Sequence, residues 1–486
     1  MNRQIRRLGI GLLVLYSALF VQLNVIQVLR AESYNENPNN TRAIVRDFNQ
    51  PRGQILAADG TVLARSVPIE GGQFERRREY PEGELFGHVT GYFSFVAGAD
   101  GVERTYNEAL AGRSGASSVD DLGKLLLGES QIADVTLTIP AEVQRVARDR
   151  LGSTRGSVVA LDPRDGAVLA LWSFPSYDPT VISSTDIDAA QQARNELLDN
   201  ESNPLLARSF RETYFPGSTF KVVTAAAGLS SGQVRTDTPS YPSTTDYVPP
   251  LTTKPINNFG GGTCGGTLFD ILRVSCNTAF AQMGVDVGPS TVVSQAEDFG
   301  FNDVPPLDLP AVEASSIGSV ASFDQNTPVL AMTAIGQNAV RATPLQMALV
   351  AAGIANGGQV VTPHVMAEVR SQEGQVVQRW EPSPWTRATS PQVAGTVRDA
   401  MVGVVEGGTA TRLAVPGVTT AGKTGTAQLG NGLSHAWIIG FAPAEAPRVA
   451  VAVIVEAQPG ASEQTGGRVA APIAQAVLSA ALQATA

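Results

Sequence analysis

Three short stretches carry side chains that can do chemistry together. In Pro216-Gly217-Ser218-Thr219-Phe220-Lys221 a serine precedes a lysine by three positions, and the apolar run that follows reads as a helix. Positions i and i+3 share a helix face, so the Lys221 amine can reach the Ser218 hydroxyl. Pro216-Gly217 breaks the chain just before, letting a helix begin at the serine and placing its positive N-terminal field there. A serine hydroxyl attacks well only when a base takes its proton. Lysine can be that base if burial or a nearby cation draws its pKa from about 10.4 toward neutrality. The second stretch, Ser275-Cys276-Asn277, offers another hydroxyl for proton relay and an amide to hold a peptide group. The third, Lys423-Thr424-Gly425-Thr426, reads as an edge strand along which a peptide can lie. There Gly425 leaves room for close approach of a ligand, and the Thr426 N–H can join that of Ser218 around an oxyanion.

Taken singly, each stretch has a plainer reading: a solvated helix face, a turn or cap, an ordinary glycine-containing strand. Lysine usage weighs against that. Of 35 basic residues only four are lysine (Lys124, Lys221, Lys254 and Lys423), and two of the four fall in these stretches. Where arginine is the habit, a lysine is placed for what arginine cannot do, which is lose its proton.

The elements that must position these groups are legible around them. Residues 135–140 read as a strand and 141–151 as a helix; 156–162 and 167–173 flank Pro163-Arg164-Asp165-Gly166, a hairpin signal. A helix is expected from about Thr343 to Asn356, with Thr343 as N-cap, Pro344 in its first turn, Gln346 completing a capping box and Gly357 ending it. Residues 435–443 and 448–457 read as strands, and 468–484 as a closing helix. Strands and helices mix without regular alternation, so the class is α+β with an antiparallel sheet flanked by helices. Upstream, residues 52–64 read as two short strands around Asp59-Gly60, within a section of about 100 residues (31–130) suited to a stalk or pedestal.

At the N-terminus, residues 8–29 carry no charge. As a helix they span about 33 Å, enough for a bilayer core of about 30 Å. Arg3, Arg6 and Arg7 precede them, which puts residues 1–7 in the cytoplasm and everything after Arg30 outside. The competing reading is a cleaved signal peptide, but Val28-Leu29-Arg30-Ala31 holds no A-x-A-like site. In an exported chain Cys264 and Cys276 form either a disulfide or two free thiols.

Composition removes other classes. A net charge of −10 argues against nucleic acid as a partner. Three histidines (His88, His364 and His435) and two cysteines, all far from metal-ligand spacing, give no metal site and no Cys–His pair. His435, alone in an apolar strand, is a poor base for a Ser-His-Asp hydrolase. No cofactor is expected.

The order S-x-x-K, S-x-N, K-T-G is specific as a set, and with it the chain resembles the class B penicillin-binding proteins, most closely the short actinobacterial ones. Arg52-Gly53-Gln54-Ile55 through Leu63-Ala64 is similar to the family's first pedestal block, and Gly98-Ala99-Asp100-Gly101-Val102-Glu103 with Tyr106 and Leu110 to its second. Ile335-Gly336-Gln337, residues 343–348 and His435-Ala436-Trp437 through Pro443 are similar to blocks around the family's active site. Ala57-Ala58-Asp59-Gly60 departs from the usual Asp-Arg-x-Gly, and Cys276 inside the second motif is unusual.

The resemblance implies a penicillin-binding transpeptidase domain over 131–486, on a non-catalytic pedestal, behind one transmembrane helix. It implies a peptidoglycan D,D-transpeptidase, and glycan polymerisation is not implied. Ser218 is then the acylated nucleophile and Lys221 its base. Ser275 and Asn277 relay a proton and hold the donor, Lys423 shapes the field, and Thr424, Gly425 and Thr426 bind substrate. The implied partners are stem peptides ending in D-Ala-D-Ala, β-lactams as covalent inhibitors, the cytoplasmic membrane, and proteins of the division or elongation machinery. The nearest rivals are a serine β-lactamase or β-lactam sensor, and a carboxypeptidase; a non-catalytic divisome scaffold is a rival of another class.

Overall fold

The computed structural model describes residues 2–24, 48–113, 132–429, 432–458 and 465–485. Residues 25–29 of the expected span, Lys124, and the boundary expected at 130–131 lie outside them. The chain divides into two compact units, Met1–Pro51 with Val67–Arg77, and Arg52–Ser66 with Arg78–Ala486.

In the first unit, α1 (Asn2–Asn24) is a single helix. Residues Arg6–Leu23 have a mean hydropathy of 1.4, and none of that window is buried. Leu8, Leu12, Tyr16, Leu19 and Phe20 are all exposed. An apolar helix that buries no face against protein is suited to a bilayer.

The second unit is built on two sheets. The strands used below, in chain order, are β1 (Ile55–Leu56), β2 (Val62–Pro68, in this unit as far as Ser66), β3 (Ala133–Leu137), β4 (Gly156–Leu161), β5 (Val168–Phe174), β6 (Met366–Ser371), β7 (Val376–Arg379), β8 (Ala421–Leu429), β9 (Leu433–Ala442) and β10 (Val449–Val455). The helices used below are α2 (Ala141–Leu151), α3 (Lys221–Ser230), α4 (Leu268–Arg273), α5 (Asn277–Val287), α6 (Pro344–Ala355) and α7 (Gly466–Ala484).

The larger sheet is antiparallel, in the order β8-β9-β10-β4-β5. Every residue of β10 is buried, so both faces of the sheet are covered there and this strand reads as a continuous apolar run. α6 and α7 pack on it, and α2 packs on α7. The expected hairpin is β4–β5, and the expected closing helix is α7, which starts two residues earlier than its apolar pattern.

In the other sheet, β1 pairs with β2 antiparallel and with β3 parallel; β3 pairs with β6, and β6 with β7. The expected turn lies between β1 and β2, with Gly60 at φ +82° and the Thr61 N–H donating to Asp59 Oδ1 at 3.1 Å. Asp59 Oδ2 also accepts from the N–H of Ala141, the first residue of α2, at 3.0 Å. Strands from late in the chain, β6 and β7, thus complete the sheet that begins at residue 55. Beside it the segments around Arg52, Arg78 and Glu103 are clasped by charge. Arg52 Nε donates to Glu103 Oε2 at 2.7 Å and Arg78 Nε to Glu103 Oε1 at 2.6 Å, with all three side chains buried. Burial pushes the Glu103 carboxyl up, but the two guanidiniums outweigh it and hold the carboxyl below its usual range.

One helix expectation is corrected in detail. α6 is N-capped as expected, with the Gln346 N–H donating to Thr343 Oγ1 at 3.0 Å. The reciprocal half of the capping box is missing. Gln346 Nε2 donates instead to Phe299 O at 2.7 Å, and the Thr343 N–H to Ser315 Oγ at 3.0 Å. Both groups are buried, and tertiary partners satisfied them first.

Candidate active site

Ser218 lies in a 3₁₀ turn, Gly217–Phe220, and the α-helix proper, α3, begins at Lys221 rather than at the serine. Gly217, at φ +55°, turns the chain too sharply for an α-helical start. The tighter turn eclipses positions i and i+3, the relation of Ser218 to Lys221, while the hydrogen bonds of the Lys221 amine run to Ser275 and Asn277. Ser218 is half-buried and lines a cleft of about 1000 Å³, whereas Lys221 is fully buried.

Ser275 is placed by local backbone chemistry. It follows α4 in the left-handed region, at φ +61°. Its N–H donates to Leu272 O at 3.1 Å, and that of Cys276 to Ile271 O at 2.8 Å. This pair of bonds is a Schellman cap, whose left-handed position glycine usually fills. A serine there accepts some backbone strain and projects a hydroxyl from the turn. Cys276 then starts α5 and is joined to Cys264 in a disulfide with a Cα–Cα distance of 5.8 Å, the first of the two readings left open for these cysteines. Asn258 Oδ1 accepts from the N–H groups of both Asn277 (3.0 Å) and Thr278 (3.1 Å), capping α5 from outside its own chain segment.

Both motif lysines converge on the Ser275 hydroxyl. Lys221 Nζ donates to Asn277 Oδ1 at 2.6 Å, to Ser275 O at 2.8 Å and to Ser275 Oγ at 3.3 Å. Lys423 Nζ donates to the same Oγ at 2.8 Å and to Thr424 O at 3.0 Å. With its lone pairs engaged by two amines, the Ser275 hydroxyl keeps its own proton to give. Burial, and then the charge of Lys423, hold the Lys221 amine well below the ordinary lysine range. Burial alone lowers Lys423 to about 7.

The Lys423 strand, β8, is the sheet's edge, as expected. Lys423 is buried, while Thr424 and Thr426 line the cleft opposite Ser275 and Asn277. Gly425 does not line it. A Cβ there would stand 2.9 Å from both Pro216 O and the Trp437 Cβ, so the space expected for a ligand is filled by the chain leading into the Ser218 turn and by the neighbouring strand. Thr409 Oγ1 and Thr424 Oγ1 share a hydrogen bond of 2.6 Å, and both residues line the cleft. Thr409 and Asn258 were missed from the sequence, since neither stands at a fixed spacing from a motif.

The chain as a whole has counterparts among known proteins. The model of the penicillin-binding protein transpeptidase domain matches residues 156–479, about two thirds of the chain. The chain belongs to the penicillin-binding protein transpeptidases. A second model, the penicillin-binding protein A dimerisation domain, matches residues 52–134. Among relatives of this transpeptidase, the peptidoglycan D,D-transpeptidase PbpA of Mycolicibacterium smegmatis is 38% identical, over 99% of both chains. PbpA of Mycobacterium tuberculosis is 37% identical over the same shares. The solved structure of penicillin-binding protein A from M. tuberculosis as a ceftriaxone acyl-enzyme matches with a TM-score of 0.83 at 37% identity, covering 90% of this chain and 100% of that one. Its penicillin G acyl-enzyme matches at 0.80 and 38%, over 89% and 100%. The resemblance to class B penicillin-binding proteins, and the α+β class, are borne out.

Proposed function

We propose that the chain is a membrane-anchored peptidoglycan D,D-transpeptidase, acylated by β-lactams, in which Ser218 is the nucleophile and Lys221 its base. The observation that carries this assignment is the meeting of two buried amines at the Ser275 hydroxyl, beside a cleft lined by Ser218.

As the neutral amine, Lys221 keeps its two N–H groups on Asn277 Oδ1 and Ser275 O, releases the longer bond to Ser275 Oγ, and takes the Ser218 proton on its lone pair as Oγ attacks the carbonyl of the penultimate D-Ala. The N–H groups of Ser218 and Thr426 face the developing oxyanion, and each such donor is worth about 3 kcal/mol in the transition state. The proton passes through Ser275 to the departing amine as the C–N bond breaks, and the terminal D-Ala leaves. The hydroxyls of Thr424 and Thr426 hold its carboxylate, with Thr409 orienting that of Thr424. Asn277 holds the donor's peptide group, and Gly425 keeps the strand beneath it close to the nucleophile turn. An amine from a neighbouring stem peptide then attacks the ester and gives its proton back through the same groups. A β-lactam follows the first half, but its leaving nitrogen stays tethered and blocks the second.

The span in α1 anchors the chain, with the basic N-terminal residues inside and the catalytic residues outside. Residues 31–130 serve as pedestal to a transpeptidase domain over 131–486, and proteins of the division or elongation machinery are its partners. The test is intact mass against time after a penicillin pulse to the full-length chain in detergent micelles. A long-lived adduct on Ser218, absent in Ser218→Ala, is expected. An adduct that forms and vanishes within the pulse overturns the reading in favour of a hydrolase, and no adduct overturns it in favour of a scaffold.

A further inference from the structure

The nucleophile turn is held from outside by groups that the mechanism above does not use. Tyr214 and Ala342 exchange main-chain hydrogen bonds of 2.9 and 2.8 Å, and the Arg341 guanidinium lies 3.8 Å over the Phe215 ring. The Gly217 N–H donates to Gly336 O at 2.8 Å, and a Cβ on Gly336 would stand 1.8 Å from Gly217 O. Between these contacts, the indole Nε1–H of Trp437 donates to Phe215 O at 3.0 Å. Trp437 is fully buried in β9 and stands directly opposite Gly425 of β8.

That register matters because the two proposed oxyanion donors belong to different chain segments. Ser218 lies three residues after Phe215, whose carbonyl the indole holds. Thr426 follows Gly425, against which the Trp437 Cβ would touch any side chain at 2.9 Å. One rigid side chain therefore fixes the nucleophile turn at its N–H end and packs on the edge strand at its Cβ end. We propose that Trp437 is a positioning residue for the oxyanion site, its indole N–H setting the spacing between the Ser218 and Thr426 N–H groups. The inference rests on Ser218 being the acylated serine. A purely space-filling Trp437 needs only the ring, whereas a positioning Trp437 needs the N–H.

The experiment removes the N–H, in one of two variants at nearly constant volume. Trp437→Phe, and an isostere carrying benzothiophene in place of the indole, are compared with the full-length protein in detergent micelles. The first-order rate of acylation by penicillin is expected to fall about tenfold in both, a fraction of an ångström of misplacement being enough. The non-covalent dissociation constant should be unchanged. Release of the adduct should slow with acylation, and the ester carbonyl stretch of the penicilloyl-enzyme should move to higher wavenumber as its hydrogen bonds weaken. A benzothiophene protein with the normal acylation rate and carbonyl stretch overturns the proposal, whatever its melting temperature. Should Trp437→Phe fail to fold, the isostere decides. If the unaltered protein forms no adduct on Ser218, the transpeptidase reading fails first and takes this inference with it.

Discussion

Lys221→Arg tests the central assignment, because it keeps a cation and removes the ability to give up a proton. At pH 7.5 a free arginine side chain is neutral in about one molecule in 10⁵, and an unperturbed lysine in about one in 10³. From ordinary pKa values alone, the population of competent base falls about a hundredfold. Lys221 is not ordinary: burial and the charge of Lys423 lower it well below that range, so its neutral population is larger than that figure. The ceiling is the worth of a general base, about 10⁴-fold. Geometry works in the same direction, since Asn277 Oδ1 and Ser275 O, at 2.6 and 2.8 Å, define a slot for one amine and not for a planar fork. Acylation should therefore slow by about 10²- to 10⁴-fold, read as intact mass against time. Lys221→Met, of similar length and without a base, should be as slow as the arginine variant. An arginine variant that acylates within tenfold of the unaltered protein refutes the lysine-base assignment.

Lys423 should leave a signature in the pH dependence of stability. Burial lowers its pKa from 10.5 to about 7, so between those values the unfolded chain holds a proton that the folded chain has released. Stability then rises with pH across that window, by on the order of 5 kcal/mol. Lys423→Met should flatten this rise in chemical denaturation series at pH 7 and 9.5; an unchanged slope would refute it. The same substitution removes a charge that lowers the Lys221 amine, so the acid limb of the acylation profile should move to higher pH. In the pedestal, Glu103→Gln strips the buried Arg52 and Arg78 of their shared carboxylate. It should cost about 3–5 kcal/mol of stability by denaturant titration, and a loss under 1 kcal/mol would mean that water or another acid replaces it.

What the sequence determined by itself was whatever depends on neighbours along the chain. The apolar run of α1 follows from composition, the β4–β5 hairpin from its turn residues, and the start of α6 from the Thr343 cap. The Ser218–Lys221 spacing survives a change from α to 3₁₀ geometry, because three positions close a turn in either. The scarcity of lysine pointed to the two amines that the fold buries.

Only the tertiary structure decided what depends on register between distant segments. It brings Lys221 and Lys423, about two hundred residues apart, to one hydroxyl, and it is their joint burial that moves their pKa values. It turns Gln346 away from its capping box toward Phe299, and fills the space beside Gly425 with Pro216 and Trp437. It also recruits Asn258 and Thr409, which no local spacing marks. A helix cap or a turn is settled by a few bonds within a few residues. A desolvated amine, or a carbonyl held by an indole, exists only when strands from separate parts of the chain are paired in one register, and no local pattern encodes that pairing.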